Sequence, residues 1–417
     1  RARKAQVAWA QTPVQERAEI FHRYRDLLIS KRESLMDMAQ AETGKSRVSA
    51  QEEVLDIAMT ARYYARTAAK LLRPRSATGM LPVLTKTTVR HHPKGVVGVI
   101  APWNYPMTLA VSDAIPALLA ATRWCSNPTV RPRTARLRSP ICCTRRDCRA
   151  TCSPSSPGRS VVGTALVENS DYLMFTGSSQ TGRLLAEQAG RRLIGFSAEL
   201  GGKNPMIVTE GADLREVTEA AMRACFSNSG QLCISIERIY VEKSIAPEFL
   251  RMFGDRVRKV ALGASYDFGT EMGSLINENQ VKTVSAHVDD AVAKGATVVA
   301  GGRPRPDLGP IFYEPTVLTG VPEDAECYAD ETFGPVVSVY PVDDVEDAIR
   351  RANDTEYGLN ASVWARTKAE GEAIAARIHA GTVNVDEGYA PAWGSTDARW
   401  EVWVFPVWAG GTVPMVC

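Results

Sequence analysis

The 417-residue chain lacks the features that direct a protein into a membrane or out of a cell. It has no uninterrupted apolar run of about 18 residues, so we expect no membrane-spanning helix. It also has no basic segment followed by an apolar one at its start, which argues against a secretory leader. Its nine cysteines then indicate reduced thiols and a cytoplasmic protein rather than a disulfide framework.

Two common nucleotide-binding motifs are also missing. The chain contains no Gly-x-Gly-x-x-Gly. Gly44-Lys45-Ser46 does not complete a phosphate-binding loop, because that motif needs a glycine five residues earlier and the chain has Ala39 there. The sequence begins with Arg1 rather than Met, from which we expect a longer parent protein.

The positive charge is concentrated in one block. Residues 121–160 contain nine arginines, no lysine and one acid, Asp147, although the whole chain has a net charge of only +2. Five of the nine cysteines lie in the same block. A nucleic-acid arm or a zinc module would have such a composition. The block has no Cys-x-x-Cys pair and no lysine, so we expect neither nucleic acid nor metal as a partner.

Around the block, the pattern is that of an α/β protein large enough for two or three domains. Apolar positions predict one helix from about residue 12 to 38 and another from 51 to 72. The β-branched run Thr85–Arg90 reads as an exposed strand. Short apolar strands then alternate with helices, which indicates parallel sheets. The predicted strands are 96–100, 172–175, 205–208 and 238–241.

Cys233 and Glu199 are the strongest candidates for chemistry. Cys233 follows a Gly230-Gln231 turn, and Glu199 precedes a Gly-Gly turn. A thiol can attack a carbonyl carbon, and a carboxylate can later activate water against the resulting thioester. An isolated cysteine is more often an inert core residue, and we expect Cys225 to be one.

Four further segments accompany those at Glu199 and Cys233. They are Pro102-Trp103-Asn104-Tyr105-Pro106, Phe175-Thr176-Gly177-Ser178, Glu331-Thr332-Phe333-Gly334-Pro335 and Tyr357-Gly358-Leu359-Asn360. In their order and spacing over most of the chain, these segments resemble the aldehyde dehydrogenase superfamily. Within the superfamily, the residues around Cys233 and Glu199 are most similar to those of bacterial succinate-semialdehyde dehydrogenases.

The resemblance implies an NAD(P)-dependent oxidation of an aldehyde, with succinate semialdehyde as the expected substrate and succinate as the product. Cys233 would be the nucleophile and Glu199 the hydrolytic base. The Asn104 amide would donate to the oxyanion, although Asn104 is also explained as a turn residue. An acylating relative of the same fold stays open as an alternative, but Glu199 argues against it. Ser235 is a candidate for contact with the substrate and is equally explained as a buried serine.

The resemblance also implies the cofactor residues. Gly177, Ser178 and Thr181 would bind the pyrophosphate at a helix start, although Gly-Ser there is equally explained as a simple N-cap. The choice between NADP and NAD stays open. Asn104 is also implied as a cofactor-binding residue. The other implied contacts are Trp103 on the adenosine side, Leu200 at the nicotinamide carboxamide, Glu331 at the nicotinamide ribose and Phe333 near the nicotinamide ring.

The resemblance stops in two places. Residues 121–160 and those after Ser395 depart from the family, and codons read one nucleotide earlier can restore family sequence in both. We interpret the two segments as frameshifted. On this interpretation the first has lost the lysine that holds the adenosine ribose, and the second the strand that pairs subunits. A divergent insertion and tail is the alternative.

The implied architecture is the aldehyde dehydrogenase fold. We expect a Rossmann-like cofactor domain over 1–202 with an oligomerisation strand at 80–93, and an α/β catalytic domain over 203–385. Residues 386–417 would be an aberrant tail. We expect the arginines and prolines of 121–160 to keep that block out of the sheet. The chain as written would then bind NADP poorly and would aggregate or be inactive. The missing C-terminal pairing strand argues against the family's homo-oligomer here.

Overall fold

The computed structural model describes residues 2–81, 84–128 and 160–389, and these form two compact units. Of the described residues, the first unit holds 2–35 and 53–199, and the second holds 36–52 and 200–389. The chain passes from the first unit to the second between Glu199 and Leu200. The segment 36–52 packs with the second unit, which no local sequence signal indicates.

The helices and strands alternate along most of the chain. The helices are α1 Ala2–Ala10, α2 Val14–Ser30, α3 Arg32–Thr43, α4 Arg47–Leu71, α5 Pro106–Val111, α6 Ala114–Leu119, α7 Ser160–Asn169, α8 Ser179–Arg191, α9 Leu214–Phe226, α10 Ala246–Val257, α11 Glu278–Ala293, α12 Glu326–Ala329, α13 Val345–Asn353 and α14 Lys368–Ala375. The strands are β1 Arg75–Ala77, β2 Thr87–Val89, β3 Val96–Ala101, β4 Arg123–Pro128, β5 Tyr172–Thr176, β6 Gly195–Glu199, β7 Asn204–Val208, β8 Ile236–Glu242, β9 Thr297–Ala300, β10 Thr316–Thr319, β11 Val336–Val342, β12 Asn360–Trp364 and β13 Thr382–Val385.

The prediction of one helix over 12–38 is wrong, because Lys31 separates α2 from α3. Lys31 has φ −104° and ψ 8°, outside the helical range, and its N–H bonds the carbonyls of Leu27 and Leu28. The Ser30 hydroxyl donates to the Leu27 carbonyl at 2.9 Å and so helps to end α2. The second predicted helix is present as α4 and begins four residues earlier than expected.

The first unit is built on a parallel sheet of order β4-β3-β5-β6. Strand β3 is buried along all six of its residues, as expected for a central strand of a parallel sheet. Val97, Val99, Ala117 and Tyr172 form its core, with Trp124 packed against them. The carboxyl ends of β3, β5 and β6 lie at one edge of this sheet, where open α/β sheets usually bind ligands.

The expectation that the arginine-rich block stays out of this sheet is wrong for residues 123–128. They form β4, which pairs in parallel with all six residues of β3, from Val96↔Arg123 to Ala101↔Pro128. Strand pairing uses backbone groups, and Pro128 lies at the strand end, where a missing N–H costs little. The rest of the block up to residue 159 lies outside the described residues.

Strand β4 begins from an anchored position. The carbonyls of Leu118, Leu119 and Ala121 accept hydrogen bonds from the side chains of Trp9, Arg17 and Gln6 at 2.8, 3.0 and 3.1 Å. Side chains from α1 and α2 therefore bind carbonyls at and just beyond the end of α6, where the regular helical hydrogen bonds run out. The Leu118 carbonyl also accepts the Ala121 N–H at 3.1 Å. These hydrogen bonds hold the chain in place where it enters the sheet, just before the arginine-rich segment.

The second unit is built on a seven-stranded sheet of order β13-β12-β7-β8-β11-β10-β9. All its pairings are parallel except that of β9 with β10. Strands β7 and β8 are buried almost throughout, and both were predicted from their apolar runs. The Tyr389 hydroxyl bonds Ser227 at 2.5 Å and Glu52 at 3.1 Å, which ties residues 386–389 to this unit.

Strands β1 and β2 form a separate antiparallel ribbon in the first unit. Strand β2 lies inside the predicted run 85–90. Met80 and Leu84, between the two strands, are 92% and 81% exposed. Such exposed apolar side chains are typical of a surface that another molecule covers.

Candidate active site

Cys233 follows a left-handed turn at the end of α9. Asn228, Ser229 and Gly230 have φ values of 51°, 59° and 68°. A β-carbon at Gly230 would lie 2.1 Å from the Gly334 carbonyl oxygen, so only glycine fits there. The Gln231 side chain braces the turn by donating to the Asn228 carbonyl and accepting from the Ile276 N–H.

Two asparagines from neighbouring strands hold the backbone around Cys233. Asn204 donates to the carbonyls of Cys233 and Ser235 at 2.8 and 2.7 Å, and accepts from the Asn360 N–H at 3.0 Å. Asn360 in turn donates to the Ile234 carbonyl at 3.0 Å. The nucleophile candidate therefore lies on a short loop whose carbonyls are fixed by buried amides.

Cys225, Cys233 and Cys327 differ in environment. Cys233 is partly exposed, whereas Cys225 and Cys327 are buried. Burial raises the pKa of the Cys225 thiol well above its usual range. Cys225 is thus unsuited to attack a carbonyl carbon, whereas the partial exposure of Cys233 suits a nucleophile.

Glu199 ends β6 and is coupled to the start of α8. Its carbonyl accepts from the Gly177 N–H at 3.0 Å, and its residue pairs with Thr176. Burial, followed by the nearby Asp113 carboxyl, raises the pKa of Glu199 to about 7. A carboxyl with that pKa can both take up and release a proton near neutral pH.

Gly177 and Ser178 form the N-terminus of α8. The Ser178 hydroxyl accepts from the Thr181 N–H at 3.3 Å and donates to the Thr181 hydroxyl at 3.1 Å. A β-carbon at Gly177 would lie 2.6 Å from the Phe175 ring, so the position requires glycine. The simple N-cap is therefore present, and the remaining N–H groups of the first turn suit an anion.

Asn104 is buried, with 2% exposure, in the turn between β3 and α5. Glu53, on α4, accepts the N–H groups of Met107 and Thr108 at 2.5 and 3.1 Å. These N–H groups begin α5, so a buried carboxylate from a distant helix fixes the end of the turn. Trp103, the neighbouring residue, is half-buried.

In the first unit, the predicted residues collect at the carboxyl edge of the parallel sheet. Trp103 and Asn104 follow β3, Gly177 and Ser178 follow β5, and Glu199 ends β6. Thr181 lies one turn further, in α8. Residues separated by nearly a hundred positions thus share one edge.

In the second unit, Glu331 lies against the glycine pair that follows Leu200. The Glu331 carboxylate accepts from the Gly202 N–H at 3.0 Å, and a β-carbon at Gly201 would lie 2.3 Å from the same carboxylate. Burial, followed by the nearby Glu237 charge, raises the pKa of Glu331 to about 7. Phe333 has φ 49° and Leu200 is half-buried.

Sequence reasoning missed residues that act on the candidate groups within each unit. Glu53, Asp113, Glu237 and Asn360 act on segments tens of residues or more away along the chain. Asn360 belongs to a segment already matched to the family, but no local pattern reveals its contact to the Cys233 loop. Ser235 is buried and donates to the carbonyls of Ala224 and Cys225, which makes it a structural serine.

Among residues 2–81, 84–128 and 160–389, no group of three or more His, Cys, Asp or Glu side chains is arranged to hold a metal ion. Within those ranges, no helix has the length and apolar character needed to cross a membrane.

Known proteins match most of the chain. The profile of the aldehyde dehydrogenase family matches residues 1–395. A Mycolicibacterium smegmatis protein named "Putative succinate-semialdehyde dehydrogenase, NADP(+)" is 63% identical over 399 residues, which cover 95% of this chain and 77% of that protein.

Solved structures share the fold. An aldehyde dehydrogenase from Brucella melitensis biovar abortus 2308 has a TM-score of 0.84 and 30% identity, covering 93% of this chain and 80% of its own. A betaine aldehyde dehydrogenase variant from Staphylococcus aureus, solved with NAD+, has a TM-score of 0.83 and 29% identity, with the same coverages. The family profile and the 63% identity together show that this chain belongs to the aldehyde dehydrogenase family.

Proposed function

We propose that this protein oxidises succinate semialdehyde to succinate with NADP as the hydride acceptor. The observation that carries the proposal is the 63% identity, over 95% of the chain, to a protein named for that substrate and cofactor. The partly exposed Cys233 on its braced turn supports it from the structure. The semialdehyde, a small molecule, is the proposed partner.

Cys233 carries out the first chemical step, the attack on the aldehyde. Its thiolate attacks the aldehyde carbon and forms a thiohemiacetal whose oxygen carries negative charge. On the family resemblance, the Asn104 side-chain amide and the Cys233 backbone N–H donate hydrogen bonds to this oxygen. The hydrogen bonds of Asn204 and Asn360 support the role of the Cys233 N–H, because they hold the peptide groups of the Cys233 loop in one orientation.

Glu199 acts in the second step, the hydrolysis of the thioester that hydride transfer leaves. When NADP is bound, it accepts the hydride that leaves the thiohemiacetal carbon, and a thioester to Cys233 remains. Glu199 then takes a proton from water, whose oxygen attacks the thioester carbon and releases the acid. A pKa of about 7 supports this role, because at neutral pH a substantial fraction of Glu199 is ionised and able to accept that proton.

The proposed cofactor residues fit a dinucleotide by their chemistry. The first turn of α8 offers N–H groups beside Gly177, where a side chain would be excluded, and the Ser178 and Thr181 hydroxyls are adjacent. These groups suit a pyrophosphate. The Glu331 carboxylate can accept from ribose hydroxyls, and Trp103, Leu200 and Phe333 are assigned to the adenosine, carboxamide and ring on the resemblance. The preference for NADP rests on the relative's name.

We also propose that the enzyme is cytoplasmic and that copies of the chain associate. The exposed Met80 and Leu84 beside the β1–β2 ribbon support association, because burying exposed apolar side chains against another molecule lowers the free energy. The C-terminal segment expected to pair subunits lies outside the described residues. Light scattering on the purified protein measures the mass directly, and a monomer at micromolar concentration contradicts association.

Product analysis tests the function. Purified protein is incubated with succinate semialdehyde and NADP, with and without coenzyme A. We expect free succinate and one NADPH per substrate in both cases. Formation of a thioester of coenzyme A without free acid would establish the acylating alternative. Absence of any NADPH from well-folded protein would establish an inactive, frameshifted product.

A further inference from the structure

Lys203 and Glu237 form an ion pair inside the second unit, apart from the groups proposed to carry the reaction. The Lys203 Nζ donates to a Glu237 carboxylate oxygen at 2.6 Å, and the side chains are 2% and 3% exposed. Removing two charges from water is costly and is offset only when further hydrogen bonds complete the pair. The remaining partners of Glu237 show what the pair does.

The Glu237 carboxylate binds the backbone of the segment that follows Glu331. It accepts the Thr332 N–H at 3.1 and 2.9 Å and the Phe333 N–H at 3.0 Å. On the other side, the Gln280 amide of α11 donates to the carbonyls of the same two residues at 3.1 and 2.9 Å. Two side chains therefore satisfy the N–H and carbonyl groups of Thr332 and Phe333.

This segment needs such support because Phe333 has an unfavourable backbone conformation. Its φ of 49° is left-handed, which a bulky residue other than glycine rarely adopts. Strained conformations persist where the surrounding structure holds them, and they often occur at ligand-binding positions. The hydrogen bond from the Phe333 N–H to Glu237 acts on the strained residue itself.

The same network reaches the Glu331 carboxylate. Glu331 accepts from the Gly202 N–H, and Gly202 immediately precedes Lys203. One side of the ion pair thus continues into the glycine segment that orients Glu331, and the other holds the two residues after Glu331. His287 adds a contact at 3.1 Å to the Thr332 hydroxyl.

We infer that Glu237, paired with Lys203, is a positioning residue that sets Glu331 and Phe333 in the conformation that binds the dinucleotide. The inference rests on the proposed function, because the roles of Glu331 and Phe333 toward NADP are part of it. Glu237 itself contacts neither cofactor nor substrate in this assignment. It acts through the backbone that it binds.

The test is Glu237→Gln in the full 417-residue chain. Glutamine keeps the size of the side chain, but it has one acceptor oxygen for two N–H groups and leaves the Lys203 ammonium without a carboxylate. We expect the Kd for NADP, measured by calorimetry, to rise at least tenfold. We expect kcat at saturating NADP to fall less than threefold, and amide hydrogen exchange across residues 331–334 to accelerate. Glu242→Gln, on the same strand β8, is the matched control and leaves all three unchanged.

A second variant separates positioning from a general loss of stability. Lys203→Met combined with Glu237→Gln removes the buried ammonium that Glu237→Gln alone leaves without its carboxylate partner. We therefore expect the melting temperature of the double variant to recover toward that of the wild type. The weak NADP binding and the fast exchange persist in the double variant, because the Phe333 and Thr332 N–H groups still share one acceptor. Recovery of wild-type NADP affinity in the double variant would overturn the inference.

The remaining outcomes are distinct. Unchanged exchange, or an unchanged Kd with faster exchange, overturns the positioning role while leaving the proposed function intact. A folded wild-type protein that neither binds NADP nor oxidises the semialdehyde refutes the proposed function, and the inference falls with it. The wild-type measurement therefore tells the two failures apart.

Discussion

Cys225 and Cys233 lie eight residues apart and have different surroundings. Cys225 is 1% exposed inside α9, whereas Cys233 follows a strained turn and is partly exposed. A thiol must reach its substrate as a thiolate, which burial disfavours. The fold therefore leaves Cys233 as the better nucleophile of the two.

We predict that Cys233→Ala lowers aldehyde oxidation by several orders of magnitude while NADP still binds. Removing the nucleophile eliminates the covalent route and leaves the cofactor residues in place. Steady-state NADPH production and a binding titration measure the two effects. Cys225→Ala is the control and should lower the melting temperature with turnover retained. Turnover of Cys233→Ala within tenfold of wild type would exclude this thiol as the nucleophile.

Glu199→Gln should give a different kinetic pattern. Hydride transfer precedes deacylation, so the variant should release a burst of NADPH close to one per active site and then stall as the thioester. Stopped-flow absorbance at the NADPH band resolves the burst. Glu187→Gln, an exposed glutamate paired with Arg191 on α8, should behave as wild type. A linear time course for Glu199→Gln would count against the base role.

Asp113→Asn tests how the carboxyls of the first unit interact. Burial raises the pKa of Asp113 to about 7, and Asp113 in turn contributes to the raised pKa of Glu199. In wild type we expect deacylation to increase with pH through about 7, as Glu199 ionises. Removing the Asp113 charge should move that midpoint to lower pH, while burial keeps it above the usual value near 4.3.

The stability of Asp113→Asn should follow from the same shift. A carboxyl whose pKa is raised by folding binds protons more readily in the folded state, so the free energy of unfolding falls as pH rises from about 4 through 7. The variant should therefore gain more in melting temperature at pH 8 than at pH 4. Calorimetry at both pH values measures this, and an equal change at both would contradict the buried charge.

At the scale of elements, β4 depends on the helices that precede it in the chain. The Arg17 guanidinium, which is buried, donates to the Leu119 carbonyl at 3.0 Å where α6 ends. A buried carbonyl without a partner costs about 1–3 kcal/mol. The side chains of α1 and α2 thus help to bring residues 121–123 onto β3.

Arg17→Met should destabilise the first unit by about 1–3 kcal/mol, because methionine keeps the apolar stem and removes the donors. We expect amide exchange across residues 119–128 to accelerate as β4 loosens. Denaturant unfolding and exchange mass spectrometry give the two readouts. Arg25→Met, on the same helix and paired with the adjacent exposed Asp26, should change the stability by less than about 0.5 kcal/mol. Equal effects of the two substitutions would show that the Leu119 contact contributes nothing.

At the scale of the whole molecule, the coding frame decides how much of the family's cofactor surface the protein carries. We predict that the coding DNA for residues 121–160, read one nucleotide earlier, encodes family sequence including a Lys-Pro pair, and that the DNA after Ser395 does likewise. Sequencing the gene tests this. Codons that cannot restore the family frame would favour a divergent insertion.

The frame has a measurable consequence for binding. A protein with the restored frame should bind NADP more tightly than the 417-residue chain, because it regains a lysine for the adenosine side and loses most of the nine arginines of the block. Titration of the two proteins compares the Kd values. Equal affinities would mean that the sheet with its present β4 suffices.

The sequence by itself determined the elements and motifs whose information is local. Mostly apolar runs of four or five residues identified β3, β5, β7 and β8, because a strand buried on both faces is rich in apolar residues. The turns at Gly177 and Gly230 also show in the sequence, since a side chain at either position would collide with its neighbours. Cys233 and Glu199 could be nominated because both stand in short motifs.

Only the tertiary structure decided which distant residues serve those motifs. Glu237 binds residues 95 and 96 positions further along the chain, and Glu53 binds the start of α5 54 positions away. The pairing of β4 with β3 was missed because backbone hydrogen bonds do not depend on the arginines beside them. The pKa values near 7 of Glu199 and Glu331 arise from burial, which depends on everything packed around a group and is not encoded in any local pattern.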